Sequence, residues 1–111
     1  MAREQFQSLS EQMYYILLAL WEPQCGADIS RQVSSLSQRR IQVGPGTLYT
    51  LLARFEEQQI IRETGSQGRK RYYMITDKGK SMLHTEYARL QALVKDGSAC
   101  LGSEKGDCYE E

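Results

Sequence analysis

The sequence is short of the residues that metal and covalent chemistry draw on. It holds one histidine, His84, and three cysteines, Cys25, Cys100 and Cys108, among 111 residues. An odd number of cysteines with no ligand spacing, and a single imidazole, give no metal site and leave reduced thiols as the expectation. Cys25 and His84 are the one nucleophile-and-base pair to consider. No oxyanion motif, third orienting group or glycine-rich phosphate loop accompanies them, so no enzyme and no cofactor are expected. No apolar run reaches the ~18 residues of a membrane span. The start, Met1-Ala2-Arg3-Glu4-Gln5, lacks the charged-then-apolar order of a signal peptide. A cytoplasmic chain of one domain, with a modest core, is the expectation.

Net charge is also missing, being zero overall, but the charge is unevenly placed. Residues 28–80 carry ten Lys/Arg against five Asp/Glu, a net +5, and the flanks carry four against nine, a net −5. A basic middle between acidic ends is the asymmetry that phosphate contact requires.

Only two prolines are present, and each punctuates a helix. Pro45 opens the stretch that organises the chain, Gly44-Pro45-Gly46-Thr47-Leu48-Tyr49-Thr50-Leu51-Leu52-Ala53-Arg54-Phe55. A proline suits the first turn of a helix, where its missing N–H costs nothing. Leu48, Leu51, Leu52 and Phe55 then recur at i, i+3, i+4 and i+7, one apolar stripe. The opposite side holds Thr47, Tyr49, Thr50 and Arg54, hydrogen-bonding groups plus a cation, where a merely solvated helix more often shows Glu/Lys pairs.

Ahead of it, Ser8-Leu9-Ser10-Glu11 fits a capping box with Ser8 at the cap. The helix this opens runs to about Glu22, stopped by Pro23. Its centre is apolar all round. Met13, Ile16, Leu17 and Leu20 can face the chain's own core, whereas Tyr15, Leu18 and Ala19 need a second cover, most simply another subunit. Gly26 to Leu36 forms a second helix with Ile29, Val33 and Leu36 inward, and Cys25 sits in a turn. After the organising helix, residues 60–64 and 72–76 read as two strands joined by the loop Gly65 to Arg71, with Arg69, Lys70 and Arg71 successive cations. Thr76-Asp77 caps a last helix, on which Leu83, Tyr87, Leu90 and Val94 make a heptad-like seam. Asp96-Gly97 ends it, and an acidic, flexible tail follows.

Three helices and then a two-stranded hairpin is the order of a winged helix-turn-helix. The expected fold is therefore mainly α with a small β-wing over 8–76, a C-terminal dimerisation helix over 77–96 and a tail over 97–111. Such a fold places the first turns of its third helix in a major groove, here Gly46, Thr47, Tyr49, Thr50 and Arg54. The wing residues Arg69, Lys70 and Arg71 would reach backbone phosphates or the minor groove. Taken singly, a Gly-Arg-Lys-Arg loop is a solvated turn and a Leu/Phe stripe is core, and Tyr49 could pack on the hairpin instead. Their combination in this order favours double-stranded DNA as the partner. A winged helix that docks proteins without reading DNA is the alternative.

The segments Leu9-Ser10-Glu11, Gly44-Pro45-Gly46-Thr47-Leu48-Tyr49 with Leu52 and Phe55, and Arg71-Tyr72-Tyr73-Met74-Ile75-Thr76-Asp77-Lys78-Gly79 resemble the PadR-type transcriptional regulators. The resemblance covers residues 8 to about 95, and a single helix after the wing is similar to the short subfamily. It implies a bacterial, homodimeric, winged-helix repressor. Some short members of that family bind flat, apolar or cationic molecules in a pore between the first and last helices. The resemblance would put such an effector near Ser8, Glu11, Tyr15 and Ala19, opposite Leu90 to Val94. The dimer would rest on Leu83, Tyr87, Leu90, Val94 and Tyr15. The last helix has no tryptophan, the residue an aromatic-stacking pore of that kind would use.

Overall fold

The computed structural model describes residues 9–102. Ser8, Cys108 and most of the acidic tail lie outside the described residues. The elements run α1 (Glu11–Ala19), β1 (Gln24–Cys25), α2 (Gly26–Leu36), α3 (Pro45–Glu57), β2 (Ile61–Gln67), β3 (Lys70–Ile75) and α4 (Asp77–Leu101). The fold is a mainly helical winged helix.

The N-cap of α1 is Ser10, not Ser8. Its Oγ accepts from the Met13 N–H at 3.2 Å, and Met13 Sδ accepts in turn from the Ser10 N–H. A thioether thus fills the place the capping-box reading gave to a carboxylate. The helix stops at Ala19, short of Glu22. Beyond it the chain turns over residues 20–22 and past Pro23 extends into β1, which pairs antiparallel with β3 through Gln24↔Tyr73 and Cys25↔Tyr72. The sheet therefore has three strands, in the order β1-β3-β2, rather than two. Two residues are too few to show a period, so only the partner strand reveals β1.

The core gathers Met13, Ile16, Leu17, Ala19 and Leu20 of α1, Ile29 and Val33 of α2, and the whole Leu48–Leu51–Leu52–Phe55 stripe of α3. Ile60, Ile61, Tyr73, Ile75 and Leu83 close it from the wing side. On α2 the steps of four run Ile29, Val33, Ser37, so Leu36, expected inward, faces solvent and Ser37 takes the buried place. Ser37 Oγ donates to the Val33 carbonyl at 2.9 Å and accepts from the Ile41 N–H at 2.9 Å, which satisfies a buried hydroxyl on both counts.

Both interior helices end on a left-handed residue without using glycine. After α2, Gln38 and Arg39 have φ of 52° and 68°, and the Arg39 N–H bonds the Ser34 carbonyl. After α3, Gln59 has φ 63°, and the Ile60 N–H reaches the Phe55 carbonyl at 2.8 Å. This is the Schellman pattern, sealed by burial of both Ile60 and Phe55. The β2–β3 turn is two residues, with Gly68 at φ 61° in its first place, as a tight hairpin matching the strand twist needs.

Thr76 links the wing to α4. Its Oγ1 accepts from the Gly79 N–H, while its own N–H bonds the Ile60 carbonyl at 2.9 Å. α4 runs through Asp96 and Gly97 to Leu101. One glycine costs a helix only about 1 kcal/mol, less than the surrounding turns supply, so it does not end there. The helical segment is accordingly longer than 77–96.

Gly79 sits where α4 crosses the wing. A Cβ there would press on the Ile60 carbonyl oxygen and stand 2.6 Å from Ile75 Cγ1. Both obstacles are fixed in the core, so Gly79→Ala should cost about 1–3 kcal/mol, as overpacking does. Thermal unfolding should show Tm falling by roughly 4–8 °C per kcal/mol at this size. An unchanged Tm would show that the crossing has slack.

Candidate nucleic-acid interface

With its apolar stripe buried, α3 can present only its other side. Gly46, Thr47, Tyr49, Thr50 and Arg54 are all exposed. The N-cap, Gly44, brings no side chain to the first turn, so the helix begins with open N–H groups beside Pro45.

Tyr49 is placed by its neighbours. It shares a cleft of about 250 Å³ with Gly26 and Ala27 at the start of α2, and with Arg69, Lys70, Arg71 and Tyr73 of the wing. Its hydroxyl lies over Gly26. α3, the opening of α2 and the wing cations therefore line one recess. Tyr49, for which packing on the hairpin is the alternative to reading DNA, is 53% exposed, and its hydroxyl tip rests on the start of α2.

The three wing cations are not equivalent. Arg69 stands in the turn and Lys70 beside it, both exposed and with no salt bridge among the described residues. Arg71 is exposed as well, but it is paired within the chain. Its guanidinium donates to Glu63 Oε1 at 2.8 and 3.1 Å, stands 3.7 Å from Glu56 and lies 5.4 Å from the centre of the Tyr73 ring. The hydrogen bond from Arg71 holds the Glu63 carboxyl below its ordinary range. Arg71 thus ties β3 to β2 and to the last turn of α3. Cross-strand pairing of Glu63 with Tyr73, after the irregularity at Thr64, brings Arg71 and Glu63 together; sequence spacing alone does not reveal it. Arg31 is likewise paired with Asp28, and Lys78 donates to the Gln58 carbonyl at 2.8 Å.

A second surface lies between α1 and α4. Tyr14, Leu18, Trp21, His84 and Tyr87 line an apolar hollow of about 230 Å³, and Leu90 and Val94 extend it with Tyr14 and Tyr87. Leu83 is buried in the chain's own core, so the exposed seam begins at Tyr87. It continues past Val94 to Leu101, which is 63% exposed. Tyr15, expected on this surface, instead accepts a hydrogen bond from Arg40 at 3.0 Å, and Tyr14 takes its place. Ala19, expected at an effector pore, is buried in the core, while Glu11 is exposed in the first turn of α1. The offset follows from where α1 turns its apolar side. Ile16, Leu17 and Leu20 claim the core completely, and Ala19, small enough to follow them in, leaves the groove to Tyr14 and Leu18.

Cys25 and His84 do not meet in a common site. The Cys25 thiol donates to Asp28 Oδ2 at 3.3 Å, and the His84 ring stands edge-on to Trp21 at 6.1 Å. Among the described residues no group of three or more His, Cys, Asp or Glu could hold a metal ion. None of the helices among them is long and apolar enough to cross a membrane.

Comparison with known proteins identifies this arrangement. Residues 16–85 match the transcriptional regulator PadR-like family. The chain belongs to the PadR-like family of transcriptional regulators. It is 36% identical over 72 residues to an uncharacterised 37.1 kDa protein in transposon Tn4556 of Streptomyces fradiae, a match covering 64% of this chain and 20% of that one. The chain thus spans about a fifth of that relative's length. Among solved structures it is similar to a PadR-family transcriptional regulator from Eggerthella lenta, with TM-score 0.63 and 28% identity over 79% of this chain and 75% of that one. It is also similar to a PadR-like transcription factor from Bacteroides fragilis, with TM-score 0.61 and 29% identity over 80% and 86% of the two chains.

In this PadR-like chain one carboxylate stands out. Glu86, on α4 beside the groove, is 5% exposed and bonded to Arg89, and that bond holds its carboxyl below the usual 4.5. A carboxyl depressed in the folded state takes up its proton first in the unfolded chain. The stability it contributes is therefore complete above the usual range and is lost as pH falls through the depressed value. Glu86→Gln should flatten the acid limb of a plot of stability against pH, measured by urea unfolding, and lower stability at neutral pH. An acid limb as steep as the wild type's would assign acid sensitivity to other carboxylates.

Proposed function

We propose that the protein is a cytoplasmic, homodimeric repressor that binds specific sequences in double-stranded DNA. The observation that carries this reading is the shared recess, in which Tyr49 of α3 and the wing cations Arg69, Lys70 and Arg71 face one space. A duplex seated there would meet hydrogen-bonding groups from α3 in its major groove and cations from the wing at its backbone. Base contacts by Thr47, Tyr49, Thr50 and Arg54 give the sequence preference; Arg69 and Lys70 give affinity that falls steeply with salt.

Two copies would pair through the apolar α1–α4 groove, along Tyr87, Leu90 and Val94. An exposed apolar face of this kind is where a chain with so small a core finds further burial. A small apolar or aromatic effector seated in the hollow beside Tyr14 would bias the spacing of the two recognition helices and release the DNA.

A gel shift with the DNA upstream of the coding gene tests the reading. A specific, competitor-resistant shift is expected, and its absence would leave a protein-docking winged helix. Binding measured across a salt series separates the wing residues. Arg69→Ala and Lys70→Ala should each reduce the salt slope by about 1. Arg71→Ala should weaken binding while leaving the slope nearly unchanged, because its partners are Glu63 and Glu56. A slope change for Arg71→Ala equal to the other two would make it a phosphate contact. In sedimentation, Leu90→Glu should give monomers; a surviving dimer would place the interface elsewhere.

A further inference from the structure

Gly26 opens α2 at a place where the backbone does not call for glycine. Its φ is outside the left-handed region, which among the described glycines only Gly68 occupies. Alanine is the better residue in a helix and leaves the unfolded chain less freedom to lose. What stands against a side chain here is Tyr49. A Cβ at Gly26 would overlap the Tyr49 hydroxyl oxygen and lie 2.8 Å from Cζ and 3.1 Å from Cε1. The three nearest obstacles all belong to the outer end of one half-exposed ring. Gly79 is the contrasting case, since a carbonyl and a core isoleucine block it.

The Tyr49 ring, unlike the Ile60 carbonyl, can move. Its own backbone cannot, because Leu48 before it and Leu51 and Leu52 after it are buried. A methyl group on residue 26 would therefore leave the fold standing and turn the Tyr49 ring out of its recess. We infer that Gly26 is a specificity-determining position that acts through Tyr49: the bare α-carbon is the seat that fixes the direction of the ring on the reading face of α3. The inference rests on the DNA-binding reading and deepens it. An exposed tyrosine free to choose among staggered rotamers would have to be ordered on each encounter, whereas a seated one meets the base edges already aimed. Gly26 touches no base in this account and is a positioning residue.

The test uses the full chain and, as probe, the duplex most enriched by the wild-type protein from a randomised double-stranded pool. Gly26→Ala should keep the wild-type Tm. It should bind that duplex about five- to tenfold more weakly, the low end of one base contact, and its own selected consensus should differ at one or two base pairs per half-site. Tyr49→Ala should lose preference at those same pairs. Adding Gly26→Ala to Tyr49→Ala should then change affinity by less than about twofold, because coupled residues do not add. Should Gly26→Ala alone prove unstable, the double variant should recover the Tm of Tyr49→Ala, since the obstructing ring is gone. A wild type that enriches no sequence overturns the DNA reading and this inference together. A discriminating wild type overturns the inference alone if Gly26→Ala keeps its affinity and consensus, if the effect persists undiminished without the Tyr49 ring, or if the double variant stays unstable.

Discussion

Burial of the α3 stripe sets the geometry of the rest. Leu48, Leu52 and Phe55 are at most 2% exposed and Leu51 only 9%, so the helix has one rotational setting about its axis. Each such side chain contributes roughly 1.5–3 kcal/mol when fully buried, and turning the helix would forfeit several at once. The polar residues on the opposite side are exposed by the same constraint. At the far end Phe55 is also the anchor of the Schellman closure that delivers Ile60 to the wing. The Ile60 carbonyl then receives the Thr76 N–H, and Gly79 lets α4 pack against that carbonyl. α3, the wing and α4 are thus fixed relative to one another through two core residues, Phe55 and Ile60.

Electrostatics follow from that frame. A chain with no net charge still concentrates a net +5 in residues 28–80, and its cations there differ in whether they are paired within the chain. Arg71, Arg31 and Lys78 brace the structure through Glu63, Asp28 and the Gln58 carbonyl. Arg69 and Lys70 stand at the tip of the hairpin, where a phosphate can reach them. Exposed ion pairs contribute little to stability. Their effect here is geometric: Arg71 holds the wing against α3 so that the tip is presented at a set distance from Tyr49.

Much of the architecture was legible because local signals agreed with the tertiary fold. The extent of α2, the start of α3 at Pro45 and the α3 stripe follow from composition and period alone, as does the order that ends in a hairpin. The failures share a cause. The strand at Gln24–Cys25 exists only by pairing with β3. Ser37 displaces Leu36 from the core because the Val33 carbonyl and the Ile41 N–H partner its hydroxyl. The Glu63 partner of Arg71 likewise appears only once the strand register is known. Ala19 and Leu83 read as surface residues of helices that wrap further into the core than their periods suggest. The cap at Ser10 uses a methionine sulfur, which no carboxylate-based motif anticipates. The seat of Tyr49 on Gly26 joins residues more than twenty positions apart and leaves no periodic signal.

On the proposed reading, contact with DNA is made jointly by the outward side of α3 and the tip of the wing. Its most direct measurement is a backbone-amide NMR titration of the protein with a duplex it retards in a gel. Saturable shifts should cluster over Gly46 to Arg54 and at Arg69 and Lys70, with the α1–α4 groove changing far less. Shifts confined to that groove, or spread evenly without saturation, would contradict the account.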